Sequence, residues 1–428
     1  MQITRPRGTN DFLTGTIEKW QQVEDEFRRI CREYGYTEIR TPIFEHTELF
    51  HRGVGETTDI VEKEMYTFLD RGNRSITLRP EITAAIVRAY IENKLGAGLQ
   101  PTKLYQFGPV FRYDKPQAGR YRQFHQLDAE VLGTQDPAAD AEIIMLPWQY
   151  FRRLGLEPVQ ADGTGTFTLH INSIGCPNCR PVHREKLQTF LKDKLSDLCP
   201  DCQSRYTRNP LRILDCKNEK CQSVTAGAPD IVNCLCDECA EHFAGVRKYL
   251  DAVGVGYILD PRLVRGLDYY TKVTFEFMSN ALGAQSSICG GGRYDGLVDI
   301  VGGQPTPATG FAIGVERLVL TVDSVGKKLP EQYPLTVFIA TIGTGVREAA
   351  FDLLCRLRGA GITADQDFVG RSLKGQMKYS NKLKARWTVI LGEDELARGT
   401  ATVREMATSE QVEVSLSGLV KYLQERSK

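Results

Sequence analysis

The chain has 428 residues, 41% hydrophobic and 25% charged, which is the composition of an ordinary globular protein and a length that predicts two or three domains. Lysine and arginine (54) balance aspartate and glutamate (54), so net charge neither announces nor excludes a nucleic-acid partner, and local patches must decide. No run approaches the roughly 18 apolar residues of a membrane span, and Met1 to Phe12 carries Arg5, Arg7 and Asp11 where a secretory signal has an apolar core, so a cytoplasmic protein with no membrane partner is expected.

The first predicted element is an amphipathic helix over roughly Glu18 to Tyr34, because Trp20, Val23, Phe27 and Ile30 recur at helical spacing. Thr77 to Pro80 reads as the end of a strand. Glu81 and Thr83 follow, before a helix from about Ala84. A carboxylate at such a corner can hold a substrate amine, although an acidic residue there commonly serves only the helix dipole.

Lys103 to Arg112 is rich in β-formers. A polar loop, Asp114 to Arg120, then leads into Arg122 to Val131, which alternates with period two. Leu127, Ala129 and Val131 form an apolar face. Arg122, Phe124, Gln126, Asp128 and Glu130 form the other. Arg112 and Arg122, near the loop end, have the fork geometry that matches phosphate oxygens. Phe124 can stack on a base, and Gln126 and Glu130 can receive an ammonium or a polar ring. A solvated face with surface ion pairs is the plain alternative.

Nine of the 12 cysteines lie between Cys176 and Cys239, in a stretch that looks inserted. Clustered thiols in a chain of this size read as metal ligands before disulfides. Cys176-x2-Cys179 and Cys199-x2-Cys202 match four-cysteine zinc spacing, so these four are the candidate ligands should the insert hold a structural zinc. Cys216, Cys221, Cys234, Cys236 and Cys239 follow them.

Beyond the insert, Arg265-Gly-Leu-Asp-Tyr-Tyr270 sets an Arg-Gly turn beside paired tyrosines. Gly290 to Gly292, ahead of Arg293, Tyr294 and Asp295, suits a close approach of backbone to a ligand or, more plainly, a flexible turn. Gly310 to Arg317 reads as a strand, a glycine and a helix whose first turn carries Glu316 and Arg317. An arginine there opposes the helix dipole and calls for an anion. No Walker loop is present and no GxGxxG follows a strand, so phosphate handling would rest on arginines.

Past Pro330 and Pro334, a plausible linker, strand and helix alternate: Leu335 to Thr341, Arg347 to Gly359, Trp387 to Leu391 and Gly418 to Arg426. This predicts a separate α/β domain. Lys374, Lys378 and Lys382 repeat at i, i+4 within a stretch from Arg371 to Arg386 that holds no acidic residue. A helix would stack them as a basic stripe suited to an RNA backbone or, more blandly, to water.

Taken together, these segments resemble class II aminoacyl-tRNA synthetases, and within them the bacterial histidyl-tRNA synthetases. Pro42, within Tyr36 to Gly53, matches motif 1; Phe111-Arg112 through Glu130 looks like motif 2; Gly310 to Arg317 looks like motif 3. Arg265 to Tyr270 and Gly291 to Gly296 resemble the two histidine signatures. The resemblance implies an α+β catalytic domain on a mainly antiparallel sheet (residues 1–165 and 253–327), a cysteine-rich insertion (166–252) and an α/β anticodon-binding domain (330–428). It implies a ligase that joins histidine to tRNA(His) with ATP and Mg2+, as a homodimer. A non-catalytic regulatory paralogue of ATP phosphoribosyltransferase is the alternative. Such proteins tend to lose the motif arginines and the C-terminal domain, both present here.

The resemblance also implies roles. Arg112 contacts the ATP α-phosphate, Arg317 the γ-phosphate, and Phe124 stacks on adenine. Asp114 stands where the family often has a longer glutamate that reaches adenine. Glu81, Thr83 and Gln126 hold the histidine amine. Glu130 and Tyr270 bond its imidazole, with Tyr269 and Tyr294 close by. Arg265, a catalytic residue with Arg112, sits between the substrate carboxylate and the α-phosphate. Gln117, Arg122, Lys374, Lys378 and Lys382 are the tRNA candidates.

Overall fold

The computed structural model describes residues 2–160, 162–285, 287–326 and 335–427. The chain forms two compact units, residues 1–328 and 329–428. The linker prolines Pro330 and Pro334 lie outside the described residues.

The strands of the first unit are, in chain order, β1 (Thr37–Glu38), β2 (Phe44–His46), β3 (Tyr66–Leu69), β4 (Ser75–Leu78), β5 (Thr102–Phe111), β6 (Gln123–Leu132), β7 (Phe167–Ser173), β8 (Ile258–Leu259), β9 (Thr271–Ser279), β10 (Ser287–Arg293) and β11 (Ala308–Gly314). Strands β2, β4 and β3 make a small sheet of their own. The other eight make one sheet in the order β1-β5-β6-β11-β10-β9-β7-β8. Pairing is antiparallel from β5 across to β7 and parallel only at the two short edges.

Helix α1 (Ile17–Glu33) forms where the apolar spacing predicts, and it buries Trp20, Val23, Phe27 and Ile30. Phe27 meets Tyr105, Tyr150 and Phe311 edge-on, with ring centroids 5.9, 5.4 and 6.3 Å away. Helix α2 (Thr83–Glu92) begins one residue before the expected position. Helix α3 (Pro137–Arg153) starts at a cap in which the Asp136 carboxylate accepts the Ala138 N–H at 2.9 Å.

The insertion leaves the sheet after β7 and returns before β8. It holds α4 (Cys179–Leu191), α5 (Pro200–Arg208), α6 (Glu219–Val224) and α7 (Asp237–Ala252), around a core of Leu187, Leu191, Leu198, Ile213 and Leu214. A fully buried Arg293 donates to Asp140 at 2.6 Å, and His242 of α7 meets the same carboxylate at 2.9 Å. This charge cluster ties the insertion to α3 and β10.

The fold corrects the expected zinc set. Cys176 and Cys179 come together with Cys236 and Cys239, whereas Cys199 and Cys202 come together with Cys216 and Cys221. Helix α4 stands between the two CxxC pairs, and its 13 residues span about 20 Å, so one ion cannot bind both.

Helix α8 (Val315–Ser324) closes the first unit. The second unit is a five-stranded sheet in the order β13-β12-β14-β15-β16, made by β12 (Val337–Ile342), β13 (Ala364–Gln366), β14 (Trp387–Gly392), β15 (Thr400–Glu405) and β16 (Gln411–Ser415). Its first three strands are parallel, with α9 (Arg347–Gly359) and α10 (Leu373–Lys382) in the crossovers. The last two form an added hairpin. No helix among the described residues is long and apolar enough to cross a membrane.

Candidate active site

One face of the sheet is hollow. Register explains why. Glu130 on β6 pairs with Gly310 on β11, which pairs with Gly292 on β10. One row along, Asp128 pairs with Ala312, then Gly290, then Glu276 on β9. Small residues in the middle strands leave a depression walled by longer polar side chains. A Cβ on Gly310 would fall inside the Glu130 carboxylate and 2.7 Å from the Ala129 carbonyl, so that glycine is required, and one on Gly290 would displace the Arg265 guanidinium.

The depression is a cavity of about 350 Å³. Glu81, Thr83, Arg112, Asp114, Phe124, Gln126, Arg265, Tyr269, Tyr270 and Arg317 all line it, as does Asp128. Glu130 and Tyr294 lie beneath, fully buried. The polar face of β6 is therefore not a solvated strand face: Gln126 is 8% exposed, and Asp128 and Glu130 are not exposed at all.

At the deep end, Glu130 accepts from Thr83 Oγ1 at 2.7 Å and from the Tyr294 hydroxyl. Burial pushes its carboxyl up to about 8, against those two bonds. Burial likewise raises Glu81, whose carboxylate caps the Ala84 N–H at 2.8 Å while facing the cavity. Burial, then the nearby Glu130 and Glu81, hold Asp128 well above the carboxylate range. Neither oxygen of Asp128 has a hydrogen-bond partner, and neither does Gln126 Oε1.

The shallow end is cationic. Arg112 Nε donates to the Pro80 carbonyl at 2.8 Å, and its guanidinium lies 5.4 Å from the Phe124 ring. Arg317 is anchored to the carbonyls of Gly119 and Ser287, both at 2.9 Å. Burial, then Arg120 and Arg112, lower it to about 10. Arg265 donates to Glu276 at 2.8 Å, and although burial works against it, Glu276 holds the guanidinium firmly in its charged form.

Arg122 does not join the cavity. It lies over the Tyr113 ring at 4.1 Å, and its backbone N–H bonds the Gly8 carbonyl, so it packs on the N-terminal segment rather than forming a phosphate clamp with Arg112. Asp114 lines the mouth with its carboxylate 3.0 Å from Arg120, and it also accepts the Lys115 backbone N–H at 2.6 Å. Gln117 bridges to Arg120 in the same loop. In the second unit, Lys374, Lys378 and Lys382 are exposed on α10, while Gln376 and Ser380 face inward. Arg371 is committed to Asp367 and to the Tyr379 ring.

Two wall residues, Arg212 and Arg120, and Glu276 behind the wall escaped the sequence reading. Arg212 lines the cavity from the insertion, its Nη1 bonding the Arg265 carbonyl at 3.3 Å. Glu276 holds Arg265. Its signal is a lone charge between Phe275 and Phe277 in an alternating strand. Arg120 belongs to the loop.

A family model described as histidyl-tRNA synthetase matches residues 8–318, and one described as anticodon binding domain matches 336–426. The chain belongs to the histidyl-tRNA synthetase family. It is 60% identical to the histidine–tRNA ligase of Desulforamulus reducens, covering 100% of both chains, and 58% identical to that of Pelotomaculum thermopropionicum, covering 100% of this chain and 98% of that one. Among solved structures, the apo histidyl-tRNA synthetase of S. aureus matches with a TM-score of 0.83 at 39% identity, covering 99% of this chain and 100% of that one. An ATP phosphoribosyltransferase regulatory subunit/histidyl-tRNA synthetase from Bacillus halodurans C matches at 22% identity with a TM-score of 0.63 over 91% of this chain and 98% of that one, a likeness of fold. The synthetase family thus accounts for a catalytic unit on a mainly antiparallel sheet joined to an anticodon-binding unit.

Proposed function

We infer that this chain is a ligase that activates histidine with Mg-ATP and transfers the histidyl group to the 3′ end of tRNA(His). A histidine carboxylate oxygen attacks the α-phosphorus and the bond to pyrophosphate breaks. The tRNA hydroxyl then displaces AMP. The observation that carries this reading is a single cavity lined by Arg112, Arg265 and Arg317 together with Glu81, Gln126, Asp128, Tyr269 and Tyr270. The regulatory-paralogue reading is disfavoured, because these arginines and the second unit are both present. Histidine-dependent exchange of pyrophosphate into ATP tests the reading. No exchange, or equal exchange with other amino acids, would overturn it.

Within the cavity, Arg112 takes the α-phosphate, Arg317 the γ-phosphate and Phe124 the adenine ring. Asp114, held by Arg120, meets adenine less directly than a longer acid would. Glu81, Thr83 and Gln126 hold the amine. Glu130 and Tyr270 read the imidazole, with Tyr269 and Tyr294 close by. Arg265 bridges the two anions that must meet. Hydrogen-bonding groups that only a histidine ring can satisfy are what reject apolar competitors.

Asp128 joins the amine site. Its two unpartnered oxygens face a cavity in which an ammonium is the natural counter-charge. A hydrogen bond to a charged group contributes about 1.5–3 kcal/mol, so Asp128→Asn should raise the KM for histidine by about 10-fold or more in exchange assays. An unchanged KM would sink the role.

Glu130 makes the free pocket pH-sensitive. Its folded value of about 8 lies above the 4.5 of an ordinary glutamate, so the unliganded fold holds the proton more tightly. That contribution is full below pH 4.5 and is lost as pH climbs to about 8. Histidine, which supplies donors to the carboxylate, offsets the loss. The Tm increment from histidine should therefore grow between pH 6 and pH 8, and Glu130→Gln should flatten that growth. A parallel rise in the mutant would refute the assignment.

The second unit serves tRNA. Replacing Lys374, Lys378 and Lys382 with glutamate should raise the KM for tRNA by at least 10-fold in aminoacylation, since each lost phosphate contact weakens binding, and leave pyrophosphate exchange unchanged. Equal loss in both assays would count against a separate RNA role. Gln117 and Arg122, on the hairpin loop, are the other residues assigned to tRNA.

We further assign a homodimer. The motif 1 resemblance supports it, as do exposed Ile43, Phe44, Phe68 and Leu69 on and beside the small β2-β4-β3 sheet. The boundaries 1–165, 166–252, 253–327 and 330–428 are kept as the functional division. The protein works in the cytoplasm, where ATP and tRNA are supplied. The thiol sets of the insertion suit zinc.

A further inference from the structure

We propose that the insertion binds two zinc ions, each through four cysteine thiolates: Cys176, Cys179, Cys236 and Cys239 at its root, and Cys199, Cys202, Cys216 and Cys221 in its distal lobe. Within each set, the four sulfurs all lie within 4.8 Å of one another. The sulfurs of Cys176 and Cys179 are 3.6 Å apart, those of Cys176 and Cys236 are 3.8 Å apart, and those of Cys199 and Cys216 are 3.9 Å apart. A zinc ion with four sulfurs at about 2.3 Å makes a tetrahedron with edges of about 3.8 Å. Disulfide sulfurs would be about 2.05 Å apart. An iron–sulfur cluster would spread the sulfurs further, because the four are shared among two or four irons.

Backbone amides support both sets. The Cys236 N–H donates to Cys179 Sγ at 3.1 Å, and the Cys199 N–H donates to Cys221 Sγ at 3.2 Å. Such bonds offset the charge that four thiolates gather on one ion and orient the ligands. Cys234 stays outside both sets, and the remaining cysteines, Cys31, Cys289 and Cys355, are scattered elsewhere.

The two ions have different jobs. The root ion fastens the chain where it leaves β7 and where it enters α7, joining both passages to the sheet. Arg180, next to the ligand Cys179, donates to the Tyr270 carbonyl behind the cavity. The distal ion fixes α5 and the turn after it. That turn carries Asn209, which donates to Asp268 at 3.0 Å, and Arg212, which lines the cavity and bonds the Arg265 carbonyl. Arg205 of α5 also reaches Asp59, another lining residue, at 2.8 Å. The distal zinc is therefore a positioning device for the wall of the active site as well as a fold staple. That last step rests on the proposed adenylation site; the two-ion count does not.

The test uses the full-length protein purified without chelator. Elemental analysis is expected to give two zinc ions per chain. Cys199→Ser with Cys221→Ser should leave one, and should raise the KM for histidine in pyrophosphate exchange several-fold, although it changes no residue of the cavity. Fewer than two ions in folded, active protein, or iron in their place, would overturn the ion count. An unchanged KM in the one-zinc variant would overturn the positioning role alone. If the variant fails to fold, the wild-type chain regrown with Co2+ settles the count: two equivalents with visible bands of tetrahedral tetrathiolate cobalt are expected, and one equivalent, or no such bands, refutes the proposal.

Discussion

Arg265→Ala should lower histidine-dependent pyrophosphate exchange by about 100- to 1,000-fold, the loss typical of removing one preorganised group aimed at developing charge. The reaction brings a carboxylate up to a phosphate, so the barrier is dominated by repulsion between anions, and fixed positive charge lowers it more than any base would. Arg265 suits that task because its charge is held in place before substrate arrives. Glu276 accepts from it at 2.8 Å, and the space above Gly290 exists only because that residue has no side chain. Glu276 is thus a positioning residue for Arg265. Arg265→Lys should recover part of the rate, since a point charge replaces the fork but cannot span two partners. Circular dichroism should show an intact fold in both variants. Near-normal exchange in the alanine variant would remove Arg265 from the mechanism.

Much of this arrangement is legible in local pattern. Helix α1 and strand β6 follow from periodicities of 3.6 and 2, which depend only on near neighbours along the chain. Arg112, Arg265 and Arg317 stand out because each sits at a turn or helix start with an unusual composition around it. What stays hidden depends on register and on distant chain. Glu276 reaches Arg265 because β9 pairs with β10 in one particular register, and Arg212 arrives from an insertion whose sequence speaks only of cysteines. The thiols show the limit most plainly. Two neighbouring CxxC pairs read as one site, yet a rigid helix between them sends each to a later pair of cysteines. Arg122 errs the other way: alternation lines it up with Phe124 and Gln126, but the strand begins only at Gln123, and Tyr113 captures the guanidinium.

Glycine runs are weak evidence in a sequence, and the structure turns one of them into the sharpest test of the pocket. Gly310→Ala adds a single methyl group, whose carbon would fall inside the Glu130 carboxylate and lie 2.7 Å from the Ala129 carbonyl. The backbone neighbour cannot give way, so the carboxylate must turn. Turning breaks its bonds to Thr83 and Tyr294 and removes the acceptor assigned to the imidazole. Overpacking of this kind costs about 1–3 kcal/mol of stability, within the 5–15 kcal/mol that a folded domain typically holds. The fold should therefore survive while the pocket does not. Losing a substrate bond to a charged group at about 1.5–3 kcal/mol predicts a fall in kcat/KM for histidine of about 10- to 100-fold. ATP binding, assigned to Arg112, Phe124 and Arg317, should change little. Equal losses for histidine and ATP would mean that the methyl group damages the sheet rather than the imidazole site. An unchanged kcat/KM would show that Glu130 does not read the substrate ring from the place the register assigns it.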